Sequence, residues 1–76
     1  MDNLIFIDIE TTGLNSAIHE IIEIAIIGNG IHYHEKIDPI HIEHASQKAL
    51  EINGYTPEKW KDAISPREAA ICISKL

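Results

Sequence analysis

The sequence predicts an α/β fold in which a three-stranded antiparallel sheet is followed by two or three helices. Three short runs rich in β-branched residues occupy the first half of the chain, and the tight-turn pair Asn29-Gly30 separates the second run from the third. In the second half, serine and threonine caps precede segments with helical spacing of apolar residues. We expect one domain over residues 1–76, with strands near 4–10, 20–27 and 31–37 and helices near 45–53, 57–63 and 66–76.

The first strand ends in two carboxylates. Residues 4–9 are mostly β-branched or aromatic, and the run is too short for a convincing helix, so a buried strand is expected. Because side chains alternate along a strand, Asp8 and Glu10 should point the same way. Two residues of rise place their Cα atoms roughly 6.5 to 7 Å apart, which lets both carboxylates reach one ion or a pair of ions.

A divalent cation would remove the cost of burying these two like charges. Oxygen ligands favour Mg²⁺ or Mn²⁺ over zinc. The next residues, Thr11, Thr12 and Gly13, add hydroxyls, backbone N–H groups and a residue that can adopt a positive φ. The alternative is a strand that ends in a polar turn, with both acids solvated.

The second and third runs predict a β-hairpin. The segment Gly28-Asn29-Gly30 joins them, and residues 31–37 alternate between apolar and polar faces. Glu23 lies within the second strand, but its register to Asp8 is undetermined. We interpret it as a charge on an outer or edge face rather than as a third metal ligand.

Capping signals define the helical half. Asn53-Gly54 is a helix stop, Thr56-Pro57 is a helix start, and Ser65 with Glu68 forms a capping box. The last helix reaches Leu76 without a stop signal, which indicates a helix that continues further.

Composition excludes several classes of function. The net charge of −6 argues against a nucleic-acid binder that uses a broad basic patch, although it is compatible with a metal nuclease. Cys72 is the only cysteine, which excludes an intrachain disulfide. No apolar run approaches the length of a membrane span, so we expect a cytoplasmic chain without a membrane partner.

The string Asp8-Ile9-Glu10-Thr11-Thr12-Gly13-Leu14 resembles the first motif of the DEDD 3′–5′ exonucleases, the DnaQ-like group that includes ribonuclease T. The resemblance implies a ribonuclease H-like fold and two Mg²⁺ or Mn²⁺ ions. It also implies removal of nucleotides from the 3′ ends of single-stranded DNA or RNA. Asp8 would contact both metals and Glu10 one of them. Thr11, Thr12, Gly13 and Leu14 would bind substrate, with Thr12 using its backbone and Leu14 packing against the terminal base.

The resemblance extends over the chain but matches only the N-terminal portion of that domain, so the expected fold is a truncated one. The family's second and third motifs would lie beyond Leu76. The alternative function is therefore a non-catalytic module that binds nucleic acid or a protein partner. A fourth strand would normally pair with the strand at 4–10. Because that fourth strand is absent, the strand at 4–10 should have an open edge. Such an edge predicts a homodimer or a partner chain.

The five histidines are compatible with either of two interpretations, a metal site or a solvent-exposed surface. His32 and His34 share one face of the third strand, and His41 and His44 can share a helical turn. Without cysteines or carboxylates to complete a tetrahedron, solvent-facing histidines are the preferred interpretation.

Overall fold

The fold is a three-stranded antiparallel sheet followed by two helices, which confirms the predicted class. A computed structural model describes residues 4–76. The strands are β1 (Phe6–Thr11), β2 (Ile21–Gly28) and β3 (Ile31–Lys36), and the helices are α1 (Gln47–Asn53) and α2 (Pro66–Ser74), with a 3-10 turn at Ile42–His44 before α1. The sheet order is β1-β2-β3, so β2 is the central strand.

The hairpin between β2 and β3 uses the predicted two-residue turn. Asn29 and Gly30 both have positive φ, at 52° and 81°, which matches the right-handed twist of paired strands. The turn fixes the antiparallel register from Gly28 opposite Ile31 to Glu23 opposite Lys36.

The hydrophobic core lies on one face of the sheet. Ile24 and Ile26 of β2 pack with Ile37 and with Ala69 of α2, and all four are buried. Because neighbouring residues on a strand face opposite ways, Glu23 and Ala25 lie on the other face. The core therefore leaves one face of β2 free for polar groups.

The apolar side chains of β1 are exposed, so the prediction of a buried first strand was wrong. Phe6 is 69% exposed, Ile7 is 65% exposed and Ile9 is also exposed. Within residues 4–76, β1 pairs only with β2, while the buried core forms around β2, Ile37 and α2 instead. The open edge expected for residues 4–10 is thus present.

Both helices begin at serine caps, of which Ser65 was predicted and Ser46 was not. Ser46 Oγ accepts a hydrogen bond from the Ala49 N–H at 3.3 Å, and Ser65 Oγ accepts one from the Glu68 N–H at 3.0 Å. Gly54 ends α1 with φ of 69°, as helix C-termini commonly require. The helices are shorter than predicted, since α1 starts at Gln47 rather than 45 and α2 ends at Ser74 rather than 76.

The helix predicted over 57–63 is absent, and residues 57–62 form consecutive turns. Trp60 is buried and its Nε1 donates to the Ile22 carbonyl at 2.9 Å. A few residues later, Ile64 forms a parallel bridge with Ile37. The turns bring both Trp60 and Ile64 to the sheet, so tertiary contacts override the local helix signal from Thr56-Pro57.

The longer of the two helices has nine residues. In the part of the chain that the structure describes, no helix is therefore long enough to cross a bilayer.

Candidate functional site

Asp8 and Glu10 lie on one face of β1, as the alternation predicts. The register places Asp8 opposite Ala25 and Glu10 opposite Glu23. These side chains line an open depression of about 270 Å³. The lining residues are Asp8, Glu10, Glu23, Ala25, His34, Ile52 and Asn53. Three carboxylates from two adjacent strands thus border one depression.

Glu23 lies on the outer face of the sheet, opposite the core, as interpreted, and this face borders the depression. It lies on the central strand, directly across from Glu10. The pairing depends on an irregularity in the ladder, because Glu10 pairs with Glu23 but Thr11 pairs with Ile21. Alternation along β2 places Glu23 opposite the core face, but nothing in the loop sequence fixes its register to β1. A tight turn between the two strands would have supplied that signal.

The three carboxylates differ in their counter-charges. Glu23 Oε2 lies 2.5 Å from His34 Nε2 and 3.9 Å from Lys36 Nζ. Asp8 and Glu10 make no side-chain hydrogen bond or ion pair with any residue of the described range 4–76. The negative charge on β1 is therefore uncompensated, and a bound cation would be favourable there.

Burial of the two β1 carboxylates does not explain why a cation would bind beside them. Asp8 is exposed and Glu10 is half-buried, so the expected desolvation cost does not arise for Asp8. The proximity of like charges remains, and oxygen-only donors suit Mg²⁺ or Mn²⁺. Among residues 4–76, Asp8 and Glu10 do not belong to a group of three ligand-type side chains whose donor atoms all lie within 4.8 Å of one another.

Thr12 anchors the loop that follows the acids. It is 1% exposed, and it exchanges two hydrogen bonds with Glu20: its N–H donates to the Glu20 carbonyl and its Oγ1 accepts from the Glu20 N–H, both at 2.8 Å. Its carbonyl accepts from the Ser46 N–H at 2.7 Å. The contact of the Thr12 backbone with a nucleotide stays a prediction. Such a contact would have to use the Thr12 N–H or carbonyl, and both groups already form hydrogen bonds within the chain.

Gly13 is required for space rather than for its backbone angle. Gly13 does not use the positive φ that a glycine can adopt, because the positive-φ glycines of the described range are Gly28, Gly30 and Gly54. A Cβ at Gly13 would instead overlap the His19 ring and lie 2.6 Å from its Nε2. The ring is held in place by the Asn15 N–H, which donates to His19 Nδ1 at 2.9 Å.

A second, more apolar groove runs between this loop and α1. Asn53 Nδ2 donates to the Thr11 carbonyl at 2.8 Å and joins the two sides. The groove has a volume of about 350 Å³. Its walls are Ile9, Glu10, Thr11, Gly13, Leu14, Ser46, Lys48, Ala49, Ile52 and Asn53. Leu14 is fully exposed beside it. Thus one groove next to Glu10 is lined by three of the four predicted substrate-binding residues, Thr11, Gly13 and Leu14. The fourth, Thr12, is buried and does not line the groove.

Another group of ligand-type side chains lies on the 3-10 turn. His41 and His44 share this turn, as predicted, and Glu43 places its carboxylate between them, which sequence reasoning missed. The Glu43 backbone N–H, followed by His41 and His44, holds the pKa of that carboxyl below its usual range. The backbone before and at the start of this turn is held by Glu20, the residue just before β2, whose carboxylate accepts hydrogen bonds from the backbone N–H groups of Ile40 and His41.

Comparison with known proteins gives one family. The family model described as Exonuclease matches residues 5–75, from just before β1 to the end of α2. A comparison with curated proteins gave no match.

Proposed function

Because the chain belongs to the exonuclease family, we propose that it contributes Asp8 and Glu10 to the metal site of a 3′–5′ exonuclease. Its sheet and helices are consistent with the N-terminal part of a truncated ribonuclease H-like fold. The observation that carries the proposal is that these two carboxylates share one face of β1 and lack counter-charges within residues 4–76.

Mg²⁺ or Mn²⁺ is the proposed cofactor. When bound, such ions activate a water molecule and neutralise charge on the leaving 3′ oxygen. Asp8 would hold both ions and Glu10 one of them. Glu23 borders the site while already engaged with His34 at 2.5 Å, so it is assigned a supporting position and not that of a principal ligand.

The proposed substrate is the 3′ end of single-stranded DNA or RNA. The groove beside Glu10 combines the apolar side chains of Leu14 and Ile52 with the cationic side chain of Lys48. Apolar side chains pack against unstacked bases, and lysine attracts phosphate. The terminal base would lie against Leu14, and Thr11 and Gly13 would border it. Thr12 would position this loop through its bonds to Glu20 and Ser46.

The test is degradation of a 5′-labelled single-stranded oligonucleotide in Mn²⁺ by the chain, beside Asp8→Asn and Glu10→Gln. Glu23→Gln is the matched control, since it removes a carboxylate charge from the same face. The proposal expects a ladder from the 3′ end that both β1 variants abolish and that Glu23→Gln weakens less. A ladder that survives Asp8→Asn and Glu10→Gln would contradict the assigned roles.

Exposure of β1 favours a second candidate, a non-catalytic module that binds a partner. Ile7 and Ile9 are exposed on one face of β1 and Phe6 is exposed on the other, and the strand has an unpaired edge in residues 4–76. Such edges pair with strands of other chains, either a second copy or a different protein. Absence of cleavage together with a stable dimer in sedimentation would favour this candidate. A monomer at micromolar concentration would count against the homodimer.

A further inference from the structure

The 3-10 turn carries three side chains whose donor atoms converge. His41 Nδ1 lies 3.4 Å from Glu43 Oε2, and His44 Nε2 lies 3.7 Å from the same oxygen. One donor atom from each residue fits within a span of 4.8 Å. Tetrahedral Zn²⁺ with bonds of about 2.0 to 2.2 Å sets neighbouring ligand atoms about 3.4 Å apart. The donors thus stand close to the spacing that a bound ion requires.

We propose that His41, Glu43 and His44 form a binding site for a divalent transition-metal ion of the zinc class, separate from the carboxylate site on β1. Two imidazole nitrogens and one carboxylate oxygen are a ligand set that Zn²⁺ accepts, whereas Mg²⁺ prefers oxygen alone. Three protein ligands leave a coordination position for water. The two sites therefore select different metals.

The backbone of the turn is held in place before any metal binds. Glu20 accepts hydrogen bonds from the N–H groups of Ile40 and His41 at 2.9 and 2.8 Å. The His44 N–H donates to the His41 carbonyl at 3.0 Å and closes the turn. Binding then needs only small rotations of the three side chains, so little chain entropy is lost on coordination.

Exposure makes the site accessible to an ion. The side chains of His41, Glu43 and His44 are 59%, 62% and 56% exposed. An ion can enter without opening the fold.

The turn is connected to the loop that follows the β1 acids. The turn ends at Ala45, and the next residue, Ser46, donates its N–H to the Thr12 carbonyl at 2.7 Å. Metal binding to the folded chain stabilises it by mass action. Zn²⁺ at this site should therefore raise the free energy of unfolding of the chain.

The test is titration of the chain with Zn²⁺ by isothermal calorimetry, in excess Mg²⁺ so that the β1 acids are occupied by the competing ion. The variants are His44→Ala and Glu43→Gln. His32→Ala is the matched control, because it removes an exposed histidine outside the turn. Circular dichroism verifies that each variant folds, and Glu43→Gln keeps the size and shape of the side chain it replaces.

We expect one Zn²⁺ per wild-type chain, unchanged in His32→Ala and weakened at least about tenfold in His44→Ala and Glu43→Gln. Amide signals of residues 41–45 should shift on Zn²⁺ addition in nuclear magnetic resonance spectra. The proposal is overturned if wild type binds no Zn²⁺, if the two turn variants bind it as wild type does, or if His32→Ala loses binding equally.

Discussion

Replacement of Gly13 by alanine should destabilise the loop after the β1 acids through one steric contact. The new Cβ would overlap the His19 ring, whose Nε2 would lie 2.6 Å away. Gly13 has no positive φ, so alanine carries no backbone penalty there. The whole cost should come from displacement of the ring.

The expected magnitude combines two contributions. Insertion of a methyl group into an occupied space costs about 1–3 kcal/mol. Displacement of the ring also removes the 2.9 Å bond from the Asn15 N–H, worth about 0.5–1.5 kcal/mol. Because the loop is partly exposed and the ring can swing outward, we expect a loss of about 2 kcal/mol in the free energy of unfolding. For a domain of this size that loss lowers Tm by about 8–16 °C.

The assay is urea unfolding of Gly13→Ala with and without His19→Ala. Removal of the ring should reduce the cost of Gly13→Ala to less than about 1 kcal/mol. Gly30→Ala is the control, since Gly30 has a φ of 81° and no atom within 4 Å of the position of a Cβ. Its cost should be the same with and without His19. An equal cost of Gly13→Ala in both backgrounds would refute the steric explanation.

Three further substitutions test the packing that positions the site. Trp60→Phe removes the 2.9 Å bond to the Ile22 carbonyl and leaves space in the core. It should therefore lower the free energy of unfolding by about 2–3 kcal/mol, measured by urea unfolding followed by circular dichroism. A loss below about 0.5 kcal/mol would contradict the role of Trp60 in anchoring the turns at 57–62 to β2. Asn53→Ala removes the bond to the Thr11 carbonyl and should cost about 1 kcal/mol, whereas an unchanged unfolding midpoint would argue that the bond is unimportant. Tyr33→Phe should cost almost nothing at neutral pH, because the Tyr33 hydroxyl is buried without a hydrogen-bond partner in the described range. Burial, followed by the charges of nearby groups, raises the pKa of Tyr33 above 10.0. The wild type should therefore lose stability as the pH rises through that raised pKa, while the phenylalanine variant should lack this part of the loss.

Local signals predicted the elements whose structure is set by neighbouring residues. The β2–β3 hairpin follows from Asn29-Gly30, the end of α1 follows from Gly54, and the start of α2 follows from Ser65. These features depend on hydrogen bonds within a few residues of sequence, so the sequence pattern contains the necessary information.

Features that depend on distant contacts were missed. The turns at 57–62 form because Trp60 reaches the Ile22 carbonyl, 38 residues away in sequence. The exposure of β1 depends on which elements pack against it, and the pairing of Glu10 with Glu23 depends on a ladder irregularity across a long loop. The first motif therefore predicted Asp8 and Glu10 as candidate site residues, whereas the position of Glu23 beside them required knowledge of the register.

Binding of Mn²⁺ to the β1 acids is the most direct test of the proposed metal site. Paramagnetic Mn²⁺ broadens amide signals of nearby residues in nuclear magnetic resonance spectra, and excess Mg²⁺ should reverse the effect. We predict that broadening centres on residues 8–10 and 23–25, and that the double variant Asp8→Asn, Glu10→Gln abolishes it. Broadening confined to residues 41–45, or unchanged broadening in the double variant, would contradict a metal site on β1.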